Sequence, residues 1–208
     1  MAIIIDSFKQ RSPEWHSARA GNPGASSISK IITNAGAISK SRKDYLYQMA
    51  GELITGRCEE GFQSQAMLNG CEREDAARTL FELIFGAEVR QVGIVYKDEF
   101  KLFHCSPDGL VGENALIELK NPMLKTHVRY LLNGKLPSDY FGQCQMSLYV
   151  TERELCYFMS AYEGMPPLII EVHRDEKFLS VLAKALDDFA ADLILTVRRL
   201  EAWTAPLL

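Results

Sequence analysis

The chain has 208 residues, of which 47% are hydrophobic and 24% charged, with a formal net charge of −4. That balance fits a soluble globular protein, the length suits one domain, and no stretch approaches the ~20 apolar residues that span a bilayer. The charge is unevenly spread: residues 1–58 hold eight Lys/Arg against four Asp/Glu, and the remainder holds fifteen against twenty-three. A basic segment beside an acidic remainder can meet a polyanion through one face, although a solvated charged surface would read the same way.

The N-terminal MAIIIDSFKQ has three isoleucines followed at once by charge. It lacks the apolar core of a signal peptide, so an intracellular, cytoplasmic protein is expected. The five cysteines (Cys58, Cys71, Cys105, Cys144, Cys156) are odd in number and form no CxxC pair. They read as reduced thiols. Neither they nor the scattered His16, His104, His127 and His173 form a zinc site.

Along the chain no repeat, low-complexity run or linker interrupts residues 1–208, so a single domain is expected. SPEWHSARA (12–20) predicts a short helix with Ser12 as N-cap and Pro13 at its first position. NPGASSISKIITNAG is a Gly/Ser-rich loop opening a helix near Ala25, and GAISKSRKD is a basic loop. KDYLYQMAGELITG predicts a helix ended by Gly56. Ala77, Leu80, Phe81 and Ile84 recur at helical spacing, which predicts a helix over 66–85 stopped by Gly86. Strands are expected at 91–96, 100–106 and 115–120, then a helix at 137–150 capped by Ser138. ELCYFMSAY and PLIIEVH read as two further strands, and 175–200 as a long acidic amphipathic helix. The order gives an α/β (α+β) fold with a central mixed β-sheet flanked by helices.

The stretch CSPDGLVGENALIELKNP (105–122) stands out, because Glu118 and Lys120 interrupt an apolar strand and buried charge needs a partner or a metal. Alternate residues share a strand face, so Leu116, Glu118 and Lys120 point one way and Ile117 and Leu119 the other. A turn at 112–114 can bring Asp108 to the same side as Glu118. Two carboxylates beside a backbone carbonyl make a hard oxygen site suited to Mg²⁺, with Mn²⁺ as an alternative. A neighbouring lysine can hold an attacking water or help deprotonate it. By spacing alone, a surface hairpin with a Glu–Lys pair would look identical.

Other residues bear on that choice. Glu74 falls on the stripe of Ala77 and Phe81, so it points toward the sheet, while Glu72 and Asp75 complement the helix dipole. Gln143 could orient a water or a phosphate oxygen. Arg19 precedes the GASSIS segment, whose N–H groups and hydroxyls could form an anion clamp with it; a plain cap with a solvated arginine is the alternative.

Taken in order, WHSARAG with the following ASS, NGCEREDAARTLFE, CSPDG…IELKNP, YFGQCQMSLYVT and the late HRDEK resemble the lambda-type phage recombination exonucleases of the PD-(D/E)xK superfamily. The resemblance implies a restriction-endonuclease-like core. Asp108 and Glu118 would bind the divalent ion with the Leu119 carbonyl, and Lys120 would position the nucleophilic water. Glu74 and Gln143 would complete the active site, and Arg19, Ser26 and Ser106 would hold a 5′-phosphate. It further implies a phage- or prophage-encoded Mg²⁺-dependent 5′→3′ exonuclease acting on double-stranded DNA ends, working as a ring-shaped homotrimer with a single-strand annealing protein as partner. The basic loop at 36–44 and any strand-separating wedge match no pattern of the family.

Overall fold

The computed structural model describes residues 1–59 and 73–204. Ile3–Ile5 form strand β1. Helix α1 (Pro13–Arg19) starts as expected, with the Ser12 hydroxyl accepting the Trp15 N–H at 3.2 Å and proline in the first turn, where its missing N–H is not needed. Residues Ala25–Lys30 make a short 3₁₀ helix. Helices α2 (Arg42–Thr55) and α3 (Glu74–Phe85) end at Gly56 and Gly86. Residues 66–72, the first part of the helix expected before Glu74, lie outside the described residues.

The main sheet has the strand order β2-β5-β6-β7-β8. Its members are β2 (Val89–Arg90), β5 (Gly109–Val111), β6 (Ala115–Lys120), β7 (Leu155–Ser160) and β8 (Leu168–His173). Strands β6 and β7 run parallel, with Glu118 opposite Phe158, and the other pairings are antiparallel. A parallel pair needs a long crossover, here carried by helices α4 (Leu124–Asn133) and α5 (Ser138–Thr151). A smaller antiparallel sheet joins β1, β3 (Ile94–Tyr96) and β4 (His104–Cys105). Helix α6 (Glu176–Thr204) closes the described chain and packs on α2. No helix among the described residues is long and apolar enough to cross a membrane.

Strand β6 divides two cores. Ile117 and Leu119 pack with Ala77 and Phe81 of α3. Leu116, on the opposite face, packs with residues of β7, α5, α2 and α6, among them Phe158, Met146, Met49 and Phe189. Helix α5 is therefore buried on several sides, which is why its sequence shows little amphipathic contrast. At Gly142 an added Cβ would lie 3.1 Å from Asn34 Oδ1 and 3.2 Å from Ile28 Cγ2. Glycine there lets the 3₁₀ helix sit against α5, and so brings Ser26 toward Gln143.

The mixed sheet flanked by helices is the expected fold, but its hairpins differ from the sequence pattern. The strand expected at 100–106 shrinks to His104–Cys105 and pairs with β3, not with β6. Lys101 takes a left-handed turn conformation (φ 56), which stops that strand early. The partner of β6 is β5, too short for an alternation signal. Residues 91–93 lie outside β3, and β1, β2 and α4 are additional elements; α4 buries only His127 and Tyr130, a thin stripe. The cap of α5 is Pro137, so Ser138 is already its first helical residue. Ile84 is largely exposed, leaving Ala77 and Phe81 to seat α3.

Candidate active site

The β5–β6 hairpin sets Gly109 opposite Ile117, so the strand pairing stops one residue short of Asp108. Beyond that point the free edge of β6 is used by a side chain: Asp108 Oδ2 accepts the Leu119 N–H at 2.6 Å. In a strand the N–H and C=O of one residue face the same side, so the Leu119 carbonyl also turns toward Asp108. An added Cβ at Gly109 would fall 2.1 Å from Val89 Cγ1, so glycine after the aspartate lets β2 close on β5. Arg153 fastens the far end of the hairpin, donating to the carbonyls of Gly112 (2.8 Å) and Ala115 (2.5 Å).

On the α5 side of β6, Glu118 is nearly enclosed, with 4% of its side chain exposed. Its Oε1 accepts from Lys120 Nζ and, at 2.5 Å, from Gln143 Nε2. Lys120 also stands 5.2 Å from the Tyr140 ring. These contacts replace the hydration the two charges lose. Burial and the neighbouring Glu118 charge push the Asp108 carboxyl up to about 7, against the pull of Lys120 and the Leu119 N–H. Burial alone would lower the Lys120 pKa, but the Glu118 and Asp108 carboxylates outweigh it and raise it. Lys120 is thus held as an ammonium while both carboxylates face it.

This donor set fits a hard divalent cation: two carboxylates that repel each other at close range, one carbonyl turned the same way, and no soft ligand. Among the described residues no three His, Cys, Asp or Glu side chains converge on one point. Glu74, the first residue of α3, reaches the cleft from the other face of β6, and its Oε1 pairs with Arg11 at 2.6 Å. It lines the same cleft as Asp108 and Glu118 without converging with them on one point.

The other end of the cleft is differently made. The Arg19 guanidinium lies 4.0 Å over the Trp15 ring and has no carboxylate partner among the described residues; burial lowers its pKa. Trp15 is itself fixed, its Nε1 donating to Ser106 Oγ at 2.9 Å and to the Gly93 carbonyl at 3.0 Å. Buried Glu52 accepts the Gly21 N–H at 3.0 Å and so anchors the turn that follows α1. Ser26 sits exposed in the 3₁₀ segment, so the anion clamp expected at a helix start rests on one short turn and on side chains.

Arg19, Ser26 and Ser106 line the same cleft, of about 330 Å³, as Glu74, Asp108, Glu118, Leu119, Lys120 and Gln143. Every residue singled out by sequence is therefore in one place. Trp15 and Arg11 line it too, and Tyr140 stands beside Lys120. Trp15 stood within the quoted WHSARAG and Tyr140 opens the quoted YFGQCQMSLYVT, although neither was given a role, whereas nothing in the sequence marked Arg11.

An acid just ahead of β5, an acid and a lysine on β6, and a glutamine from the crossover helix define a nuclease core of the PD-(D/E)xK kind. Residues 14–154 match the YqaJ-like viral recombinase domain. The chain belongs to that family. It superposes on an alkaline exonuclease from Laribacter hongkongensis with a TM-score of 0.85 at 29% identity, covering 95% of this chain and 100% of that one. The same figures hold for that enzyme's complex with dAMP. A phage-related exonuclease from Haemophilus somnus shares the fold at a TM-score of 0.65 and 15% identity, over 86% of this chain and 96% of that one. An uncharacterised protein of Acanthamoeba polyphaga mimivirus is 25% identical over 171 residues, which is 74% of this chain and 29% of that protein. The chain thus spans less than a third of that viral relative.

Proposed function

We propose that this protein is a Mg²⁺-dependent 5′→3′ exonuclease that digests one strand of linear double-stranded DNA to mononucleotides and leaves a 3′ single strand. One observation carries the reading: the acid–lysine centre and Arg19, which has no carboxylate partner among the described residues, line one cleft. A phosphodiester reacting at the acid–lysine centre would present its terminal 5′-phosphate to Arg19 in that same cleft.

Asp108, Glu118 and the Leu119 carbonyl would hold the divalent ion, which supplies a polarised phosphoryl oxygen and a more acidic bound water. Lys120 and Gln143 orient that water, and Glu74 lines its other side. Water oxygen forms a bond to phosphorus as the bond from phosphorus to the 3′ oxygen breaks, and the leaving oxygen takes a proton. The phosphate stays on the shortened strand, so each cleavage regenerates the 5′-phosphate that Arg19, Ser26 and Ser106 bind.

A ring-shaped homotrimer, a single-strand annealing partner and a phage or prophage origin extend this proposal from the sequence resemblance. The viral recombinase domain supports the last of these. The reading is tested by incubating 5′-phosphorylated linear duplex with Mg²⁺ and following mononucleotides and the surviving strand. Release from 5′ ends, with covalently closed circles untouched, is expected. Cleavage of closed circles would make the protein an endonuclease, and end binding without release under any divalent metal would make it a binding protein.

A further inference from the structure

Arg11 occupies a backbone conformation that L side chains rarely adopt, with φ of 68. It is the third residue of a turn closed by the Ser12 N–H on the Lys9 carbonyl at 3.3 Å, the position where such turns favour glycine. Strained backbone of this kind persists where a side chain must be aimed, and it clusters at functional sites. Here the turn aims a guanidinium at Glu74, forming a 2.6 Å ion pair in which the arginine side chain is 47% and the glutamate 20% exposed. Arg78, the other nearby arginine, is occupied elsewhere: it pairs with Asp75 at 2.6 Å and donates to the Asp108 carbonyl at 3.2 Å. Arg11 also lines both the active-site cleft and the adjoining 440 Å³ hollow, and Glu74 and Asp108 are shared by the two.

We propose that Arg11 is a positioning residue that acts through Glu74. It holds the third carboxylate on the wall opposite Gln143, facing the water side of the reacting centre, and keeps it from joining Asp108 and Glu118 as a third ligand on the same ion. Released from Arg11, Glu74 would be drawn onto a bound cation by simple charge attraction. The ion would then be held more tightly and the water less well. This inference rests on the nuclease reading above.

The test is a double-mutant cycle between Arg11→Gly and Glu74→Gln. Glycine suits the left-handed turn, so the variant keeps its backbone, and unchanged thermal unfolding checks that. Two quantities are read: turnover on 5′-phosphorylated duplex, and the Kd for Mn²⁺ without DNA by calorimetry. Arg11→Gly is expected to lower kcat about tenfold with little change in KM and to tighten Mn²⁺ about threefold. Both effects should vanish in the Glu74→Gln background, and Arg11→Lys should restore most of the kcat. Equal losses in both backgrounds would mean that Arg11 contacts DNA directly, and full activity of Arg11→Gly would mean that it does nothing; either result overturns the proposal. A wild type that releases no nucleotide, yet shows the Mn²⁺ cycle as expected, would refute the exonuclease reading and leave the Arg11–Glu74 linkage standing.

Discussion

The two ends of the cleft handle charge in opposite ways. At the β6 end every charge has a protein partner: Glu118 receives Lys120 and Gln143, and Asp108 receives the Leu119 N–H. At the α1 end Arg19 lies over the Trp15 ring and has no carboxylate ion-pair partner among the described residues. A self-compensated cluster can sit within a sheet at tolerable cost, and it can be rearranged by a cation. A guanidinium held over an indole without a carboxylate partner is suited to an anion from outside. On the proposed reading, the first end serves chemistry and the second recognition. Substitutions should separate the two.

The largest effect is expected at the chemical end. Lys120→Ala should slow nucleotide release by about 10³-fold, the range for loss of a positioned proton donor or charge stabiliser. Its affinity for 5′-phosphorylated ends, measured by fluorescence anisotropy, should stay within a few-fold of wild type. A variant that cleaves normally would remove Lys120 from the mechanism. Gln143→Ala should cost less, roughly 10–100-fold in kcat, because it leaves Lys120 on Glu118; single-turnover rates would resolve the difference.

Recognition should give smaller and selective losses. Wild type should prefer 5′-phosphate over 5′-hydroxyl ends by about tenfold or more, equivalent to at least ~1.4 kcal/mol. Arg19→Ala should erase that preference by slowing the phosphorylated substrate alone, as parallel rate measurements on the two ends would show. If the variant keeps the preference, the anion site lies elsewhere.

The subtlest sign of the difference is in stability against pH. The Asp108 carboxyl is raised from 3.8 to about 7, so the folded protein holds this proton over a range where the unfolded chain has lost it. Folded binding then exceeds unfolded binding, and this group's contribution to stability declines as pH rises from about 4 to about 7. Melting temperatures in chelator should show that decline flattened by Asp108→Asn, and saturating Mg²⁺ should flatten it in wild type. Arg19→Ala should leave the slope unchanged. An unaltered slope in Asp108→Asn would show that the two acids are not packed as described.

Much of the chemical end was legible in the sequence because it obeys local rules. The period of two puts Glu118 and Lys120 on one face of β6, and the turn at 112–114 returns Asp108 to its side. The stripe of Ala77 and Phe81 fixes the inward side of α3 and so the direction of Glu74. What escaped depends on contacts distant in sequence. Strand β5 is three residues long and opens on glycine, so it carries no alternation of its own. Tyr140 matters only because α5 lies over Lys120. Arg11 matters only because a turn more than sixty residues upstream of Glu74 folds back on it, and neither its spacing nor its neighbours announce that pairing.

The claim that one cleft joins recognition to chemistry is tested most directly by end-binding of the inactive Lys120→Ala protein to duplexes that differ only in their 5′ group, with and without Arg19→Ala. The phosphorylated end should bind about tenfold tighter to Lys120→Ala, and the double variant should bind both ends alike. Equal binding of the two ends by Lys120→Ala itself would contradict it.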